Sequence, residues 1–350
     1  VGALTSELVD AGLVHEFTPA GRGVGRPSIL VEPNSRGVYV VAVELGVEHS
    51  AVALVGLGGA VLHRLDIKHP KSSTPAVLVR RVQAAVDKLR GLVDPRALCV
   101  GIGVSVPGLV RRADGLVEIA PNLGWREVPL AELMSVSLGA AQGLSIANDA
   151  DLAAIAEQAR GASVGVSHVV QITGDVGIGA GILLDGRLMS GAGGYGGELG
   201  HMVVDPVGAQ CRCGSRGCLE TVIGEDAVLA ALKMSRSDDW AQSLVDRPAT
   251  RRQLAPVGRW LGIGLANIVN IFNPAVIVLG GHFAYLYPLM ADAVNEQLAT
   301  ALSAPRQQVR VEVARLGADS VIVGAAEMAF APLLADPLGH LDRMRAEQVA

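Results

Sequence analysis

The sequence predicts a two-lobed α/β protein, and three observations predict it. Runs with strand and helix periodicity alternate along most of the 350 residues. The succession strand, glycine turn, strand, glycine turn, strand near residue 45 recurs near residue 175, as two related lobes with a ligand cleft between them would produce. Glycine is abundant, at 43 residues, while aromatics make up only 3%, which suits tight turns and close strand–helix packing. Half of the chain is apolar, enough to bury two substantial cores.

The elements follow in order. Leu4, Leu8 and Val9 give a short amphipathic helix that ends at Gly12 and enters a strand. A glycine-rich excursion from Gly21 to Pro27 then returns to the apolar Ile29-Leu30-Val31, as a β-hairpin does; a surface helix with an ordinary hairpin reads equally well. Val38 to Leu45, Ser50 to Val55 and Val61 to Lys68 are strands joined by glycine turns. A helix follows from Ala76 to Leu92, then a buried strand from Leu98 to Val104. After the Pro107-Gly108 turn comes a polar loop through Asn122, a helix from Leu130 to Leu138, and a strand ending at Ile146. A helix over Leu152 to Arg160 leads to strands His168 to Thr173, Ile178 to Leu184 and Arg187 to Met189. Helices over Gly224 to Met234 and Arg251 to Ile271 precede the strand Val276 to Leu279 and Gly280-Gly281. Another helix, the strand Val309 to Ala314 and a helix from Ser320 to Phe330 complete the body, and a partly charged tail that reads as a helix follows Pro332. The most apolar long stretch, Leu261 to Gly281, is broken by three asparagines and Pro274 and reads as helix then buried strand, with no membrane span.

Three of the four cysteines lie within eight positions, at Cys211, Cys213 and Cys218, with His201 ten residues upstream. Three thiolates and an imidazole suit the closed tetrahedral Cys₃His shell of structural zinc, and Gly208, Gly214 and Gly217 supply backbone freedom for such short intervals. Glu198 and Glu220 flank the cluster. The thiolates already neutralise the ion, so both acids are expected to face away from it as hydroxyl-binding groups, or else to satisfy nearby backbone. With one nitrogen of His201 on the metal, the other is fixed in direction and free to bond a ligand.

The cysteine cluster leaves no disulfide framework to argue for secretion, and a cytoplasmic location is expected. The net charge of −5 argues against nucleic acid as a partner of the whole surface, yet a small DNA-binding module can be outvoted by a large acidic body. The chain has no starting methionine and opens inside a helical pattern, so a preceding segment is expected.

Glu198-Leu-Gly-His201 followed by Cys211-Arg-Cys213-Gly-Ser-Arg-Gly-Cys218-Leu-Glu220 resembles the signature of the ROK (repressor, open reading frame, kinase) family. The likeness is supported by Ala120-Pro-Asn122-Leu-Gly-Trp125, Asn148-Asp149-Ala150, Gly177-Ile-Gly-Ala-Gly181 and Asn273-Pro274 through Gly280-Gly281. It implies an actin-like, sugar-kinase (ribonuclease H-like) fold, a zinc beside a hexose site, and sugar hydroxyls held by Asn122, Asp149, Glu198, His201 and Glu220. Asp149 would be the general base of a kinase member, or alternatively only caps the helix after it.

The nucleotide side departs from the kinase members of that family. Their first turn reads Asp-x-Gly-Gly-Thr-Lys, where this chain has Glu44-Leu-Gly46-Val47-Glu48-His49. Their second reads Gly-Thr-Gly-x-Gly, where this chain has Asp175-Val176-Gly177-Ile178-Gly179. Each turn has lost a hydroxyl and gained an acid. A unit charge about 5 Å from a phosphate charge costs roughly 3 kcal/mol at an effective dielectric of about 20, which predicts no productive use of ATP.

The resemblance also gives the N-terminus a meaning. Repressor members carry a winged helix-turn-helix, so residues 1–34 read as the end of a recognition helix and a wing, with Arg22 and Arg26 as DNA contacts. The expected organisation is then 35–150 for the first actin-like lobe and 151–335 for the second, with the zinc site and a last helix returning to the first lobe, followed by a tail at 336–350. The expected function is sugar-responsive repression by a homodimer or homotetramer that binds operator DNA. A hexose kinase with degenerate phosphate loops is the alternative.

Overall fold

The computed structural model describes residues 2–18, 29–139, 143–237 and 240–349. Two compact units share them: Val1–Asn148 with Ile322–Ala350, and Asp149–Val321.

The first unit opens with α1 (Gly2–Asp10), stopped at Gly12, whose φ of +76° only glycine adopts easily. Next come β1 (Val14–Phe17) and β2 (Leu30–Pro33), paired antiparallel with Val14 opposite Pro33 and Phe17 opposite Leu30. Asn34 ties this hairpin to the helix end, its backbone N–H on Leu13 O and its Nδ2 on Gly12 O. Arg22 and Arg26, the expected wing arginines, lie outside the described residues.

The main sheet of this unit starts as a meander of β3 (Val38–Leu45), β4 (His49–Gly56) and β5 (Val61–Lys68). The valine-rich β3 is buried along nearly its whole length, as a central strand covered on both faces must be. Helix α2 (Pro75–Arg90) buries Leu78, Val79, Val82, Val86 and Leu89 at helical spacing, with proline in its first turn and Lys88 and Arg90 in its last. Strand β6 (Leu98–Val106) runs parallel to β3.

Between Leu109 and Val128, where the sequence reads as a polar loop, the chain forms a second, three-stranded antiparallel sheet. It consists of β7 (Leu109–Arg111), β8 (Leu116–Ala120) and β9 (Trp125–Val128). Val110, Val117, Ala120, Trp125 and Val128 are buried, but strands this short, with one or two buried residues each among charged ones, carry no period that a sequence can show. Helix α3 (Leu130–Leu138) and β10 (Leu144–Asn148) follow, β10 pairing parallel with β6, and the sheet order is β10-β6-β3-β4-β5.

The second unit begins with α4 (Asp149–Arg160) and repeats the meander as β11 (Val169–Gly174), β12 (Ile178–Leu184) and β13 (Arg187–Leu188). A 3-10 turn at Leu199–His201 and the short α5 (Glu220–Ile223) bracket the cysteine segment; α6 (Glu225–Leu232) and the long α7 (Pro248–Phe272) come next. Strand β14 (Val276–Gly281), α8 (Phe283–Leu298), α9 (Ser303–Gln308) and β15 (Arg310–Val313) complete a sheet of order β13-β12-β11-β14-β15. In both sheets the parallel partners lie on the same side of the first strand of the meander, so the two units repeat one topology. Fully buried Glu157 staples α4 in place: one oxygen accepts the N–H groups of Arg315 and Leu316, the other that of Ala162.

Helix α10 (Ser320–Ala335) runs past Pro332 rather than stopping near Phe330, and α11 (Pro337–Val349) occupies the region read as a tail. Ala325 and Ala329 of α10 lie so close to β6 that a Cβ on Gly103 would come within 2.0 Å of the Ala325 carbonyl oxygen. Pro248–Phe272 and Gly317–Ala335 are long and apolar enough to cross a membrane by length and composition. The first lies in the core of the second unit, with Leu254, Leu261, Leu265 and Ile268 wholly buried.

Candidate metal centre and ligand site

The cysteine segment folds into a knuckle. Cys211 N–H donates to Ser215 O, Gly214 N–H to Cys211 O and Gly217 N–H to Ala209 O, while Val203 bridges to Cys218 and Gln210 to Arg216. Gly214 and Gly217 take φ values of +94° and +73°, and a Cβ on Gly217 would lie 1.6 Å from Asp205 O, so only glycine fits there. Gly208, expected to supply the same freedom, has an ordinary φ; its need is space, since a Cβ would meet Asp205 Oδ2 at 2.9 Å.

The knuckle gathers His201, Cys211, Cys213 and Cys218 with all their ligand atoms within 4.8 Å of one another. Cys211 Sγ is 3.7 Å from His201 Nδ1, and Cys213 Sγ is 3.7 Å from Cys218 Sγ. Tetrahedral zinc, with bonds of about 2.3 Å to sulfur and about 2.0 Å to nitrogen, sets its ligands about 3.5 to 3.8 Å apart. The donor set therefore fits the ion in type, and these two pairs fit it in spacing.

The thiols carry the same message. Burial pushes Cys218 up to about 12, with the neighbouring cysteines adding to it, whereas the Ser215 backbone N–H lowers Cys213. Three thiols so close cannot all ionise without a cation among them. Arg212, between the first two cysteines, anchors the knuckle to α6 by a 2.8 Å ion pair with Asp226. Asp226 shares Arg236 with the buried Glu225, whose other oxygen accepts the Trp240 indole N–H at 2.9 Å.

His201 is oriented as its flanking acids suggest. Its Nδ1 faces the cysteines and its Nε2 lies 3.8 Å from Glu198 Oε2. Gly200, in the same turn, has no room for a side chain, because a Cβ would sit 2.4 Å from Ile178 O; the turn rests directly on the start of β12.

Glu220 departs from expectation. It does not simply face away from the cluster: Oε1 is 4.0 Å from Cys211 Sγ, and Oε2 accepts the Ile178 N–H at 2.9 Å. Of the two roles open to it in the sequence, the backbone role is the one seen. Glu220 thereby joins the knuckle to the Asp175-Val176-Gly177 turn between β11 and β12.

Asp149 begins α4, half-buried, with Oδ1 accepting the Ala150 N–H at 2.9 Å, so it has the local helix-end contact. Desolvation pushes its carboxyl up to about 6; the Asp175 and Glu198 charges add to the rise and the backbone hydrogen bonds oppose it. Glu198 is raised as well, first by desolvation and then by Glu220, against the pull of His201. Asp149, Asp175, Glu198 and Glu220 thus form one electrostatic group around a half-exposed imidazole. Asn122 belongs to the other unit, in a 3-10 turn at Pro121–Leu123 that ends on Gly124 in the left-handed region.

Several contributors carry no signal that sequence reading could isolate. Gly179 and Gly181 lie in β12 rather than in a loop, and they let α4 approach: Cβ atoms there would meet Ala150 Cβ at 2.8 Å and Ala150 O at 2.6 Å. His282 lies under Gly174, its N–H donating to Gly174 O at 2.9 Å and its ring against Trp240 and Phe283. Burial pushes its imidazole down to about 4, and a Cβ on Gly174 would lie 2.5 Å from Nε2.

The first turn is held differently. Val47 packs on the apolar core, Glu48 O accepts the His69 N–H at 3.0 Å, and the Ser50 hydroxyl is 3.0 Å from His69 Nε2. Since His69 Nδ1 faces Pro70 O at 3.3 Å and must donate to it, Nε2 accepts from Ser50. Gly46 leaves no space for a Cβ, which would lie 2.4 Å from His49 O.

Comparison with known proteins places this geometry. Residues 40–331 match the ROK family. The chain is 28% identical over 361 residues to a xylose repressor of Caldicellulosiruptor bescii, covering 96% of this chain and 89% of that protein. It is 29% identical over 309 residues to a glucokinase of Halalkalibacterium halodurans, covering 75% and 90%. A crystal structure of a ROK family transcriptional regulator, homologous to the E. coli MLC protein, superposes with a TM-score of 0.76 at 27% identity over 94% of this chain and 87% of that one.

Proposed function

This chain belongs to the ROK family, and we propose that within it the chain is a sugar-responsive transcriptional repressor rather than a hexose kinase. The observation that carries the reading is the pairing of a well-formed knuckle with two altered glycine turns. His201, Cys211, Cys213 and Cys218 would hold a structural zinc. When bound, that ion fixes the imidazole ring and neutralises the thiolates. The residues do the rest. His201 Nε2 and the carboxylates of Glu198 and Asp149 bind sugar hydroxyls, and Glu220 holds the β11–β12 turn while presenting its remaining oxygen capacity. Asp149 binds a hydroxyl without needing to pass its proton to a phosphoryl transfer.

The likeness to the Caldicellulosiruptor bescii repressor covers 96% of the chain, more than the ROK match at residues 40–331, and the likeness to the Halalkalibacterium halodurans glucokinase covers 75%. In this reading α1 and the hairpin are the end of a winged helix-turn-helix, with Arg22 and Arg26 on the wing, and the protein acts as a cytoplasmic homo-oligomer. Sugar relieves repression only by preferring the arrangement that misplaces the DNA-binding helices, so DNA must weaken sugar binding by the same factor.

The test is affinity for operator DNA, selected from a random duplex pool, with and without each sugar of a panel. The expected result is a loss of about tenfold or more with one sugar, a coupling of about 1.4 kcal/mol; unchanged affinity across the panel contradicts it. The kinase reading is favoured by the acid kept at Glu44 and by the glucokinase relatives. ADP release above background on the same panel would establish it.

A further inference from the structure

We propose that Asp175 sets the charge class of the effector, so that the residues of the second unit accept an uncharged sugar or an amino sugar and reject a phosphorylated one. The inference rests on reading Asp149, Glu198, His201 and Glu220 as the sugar contacts, and it names what those contacts select.

Recognition of a phosphate needs free backbone N–H groups in a turn, or arginine and lysine side chains aimed at it. The β11–β12 turn has committed the donors at its two ends. Asp175 N–H is bonded to Gly177 O at 2.9 Å, and Ile178 N–H to Glu220 Oε2 at 2.9 Å. The second donor is thus already satisfied by an anion. The cations of the knuckle face elsewhere: Arg212 pairs with Asp226 at 2.8 Å, and Arg216 donates to Gly208 O at 2.8 Å.

What the turn presents instead is the exposed carboxylate of Asp175, two residues before Gly177, where a Cβ would lie 2.6 Å from Glu220 Oε2, and four before Gly179, where one would lie 2.8 Å from the Cβ of Ala150, the neighbour of Asp149. If Asp149 takes the hydroxyl that a kinase would phosphorylate, a sugar carrying phosphate on that hydroxyl sets a dianion beside both acids. Glu198 and Glu220 belong to the same group and add no compensating charge. An ammonium group on the sugar would meet the opposite situation and be attracted. Nothing in this requires Asp175 to touch an uncharged sugar, so its removal changes selectivity without removing the site.

Titration calorimetry of the wild-type protein, Asp175→Asn and Asp175→Ser with xylose, glucose, glucosamine and glucose 6-phosphate tests this. The wild type is expected to bind a free sugar or the amino sugar and to bind the phosphorylated one at least about tenfold more weakly, the size of a screened repulsion at an exposed carboxylate. Both variants should recover about tenfold for glucose 6-phosphate and leave the free sugars within about twofold. Their melting temperatures report whether the turn still folds, and the serine variant stands in if asparagine disturbs it. Glucose 6-phosphate binding the wild type as tightly as glucose overturns the charge rule while leaving the sugar site standing. A selectivity ratio unmoved in both folded variants overturns the role of Asp175. Failure of every sugar to bind removes the sugar-site reading, and this inference with it.

Discussion

The turn after β3 and the turn after β11 occupy the same place in two sheets of one topology, yet different chemistry holds them. The first is closed by apolar packing of Val47 and by the Ser50–His69 pair. The second is tied through Glu220 to the metal knuckle and rests on the buried ring of His282. A repeated framework thus places two glycine turns alike, but only the second shares a side chain with the candidate ligand site. Events at the knuckle should therefore be felt at the second turn and not at the first.

Removing a metal ligand should give the largest effect. Cys218→Ser leaves two thiols and an imidazole crowded together with no full shell, and is expected to destabilise the protein by more than about 4 kcal/mol and to lower bound zinc to well under one ion per chain. Calorimetric melting and elemental analysis check this. Hydrogen exchange should show Asp175 to Ile178 opening while Gly46 to Glu48 stays protected. Equal opening of both turns would erase the contrast between them.

Asp149→Asn comes next. The carboxyl rises from 3.8 to about 6 on folding, so the folded protein holds its proton more tightly than the unfolded chain. The stabilisation this gives is complete below about pH 4 and is lost as pH rises through about 6, an effect of at most about 3 kcal/mol. The asparagine variant should flatten that part of the pH–stability curve and be the more stable of the two at pH 7. Parallel curves for the two proteins would contradict this.

The glycines offer a matched pair. Gly46→Ala drives a methyl against backbone and Gly177→Ala against the Glu220 carboxylate, at 2.4 and 2.6 Å respectively. Each should cost about 1 to 3 kcal/mol, but only Gly177→Ala should weaken sugar binding, because only there does the displaced group belong to the ligand site. Ser50→Ala should be smallest, at about 1 kcal/mol, with faster exchange at the first turn and sugar affinity unchanged.

The same contrast marks what the sequence could disclose. The ligand set was legible because its spacing is local: Cys211, Cys213 and Cys218 lie on one knuckle whose glycines announce it. Val38–Leu45, Val61–Lys68, Leu130–Leu138 and Ile178–Leu184 have the bounds their periodicity suggests. The small sheet of β7, β8 and β9 was hidden because strands of three to five residues bury only one or two side chains each, set among charged ones. The Glu220 tie to Ile178 was hidden for another reason: it joins residues 42 apart through a backbone N–H, which has no residue type to betray it. Gly179 ended the segment aligned with a phosphate loop, and only the approach of α4 shows that it and Gly181 make room for a helix.

The proposed function makes this chain a metal-braced sugar receptor whose triphosphate pocket no longer works. It is tested most directly by titrating magnesium and ATP into the protein already saturated with a sugar that it binds. No heat of nucleotide binding and no ADP are expected. Stoichiometric binding of ATP with steady release of ADP would contradict it.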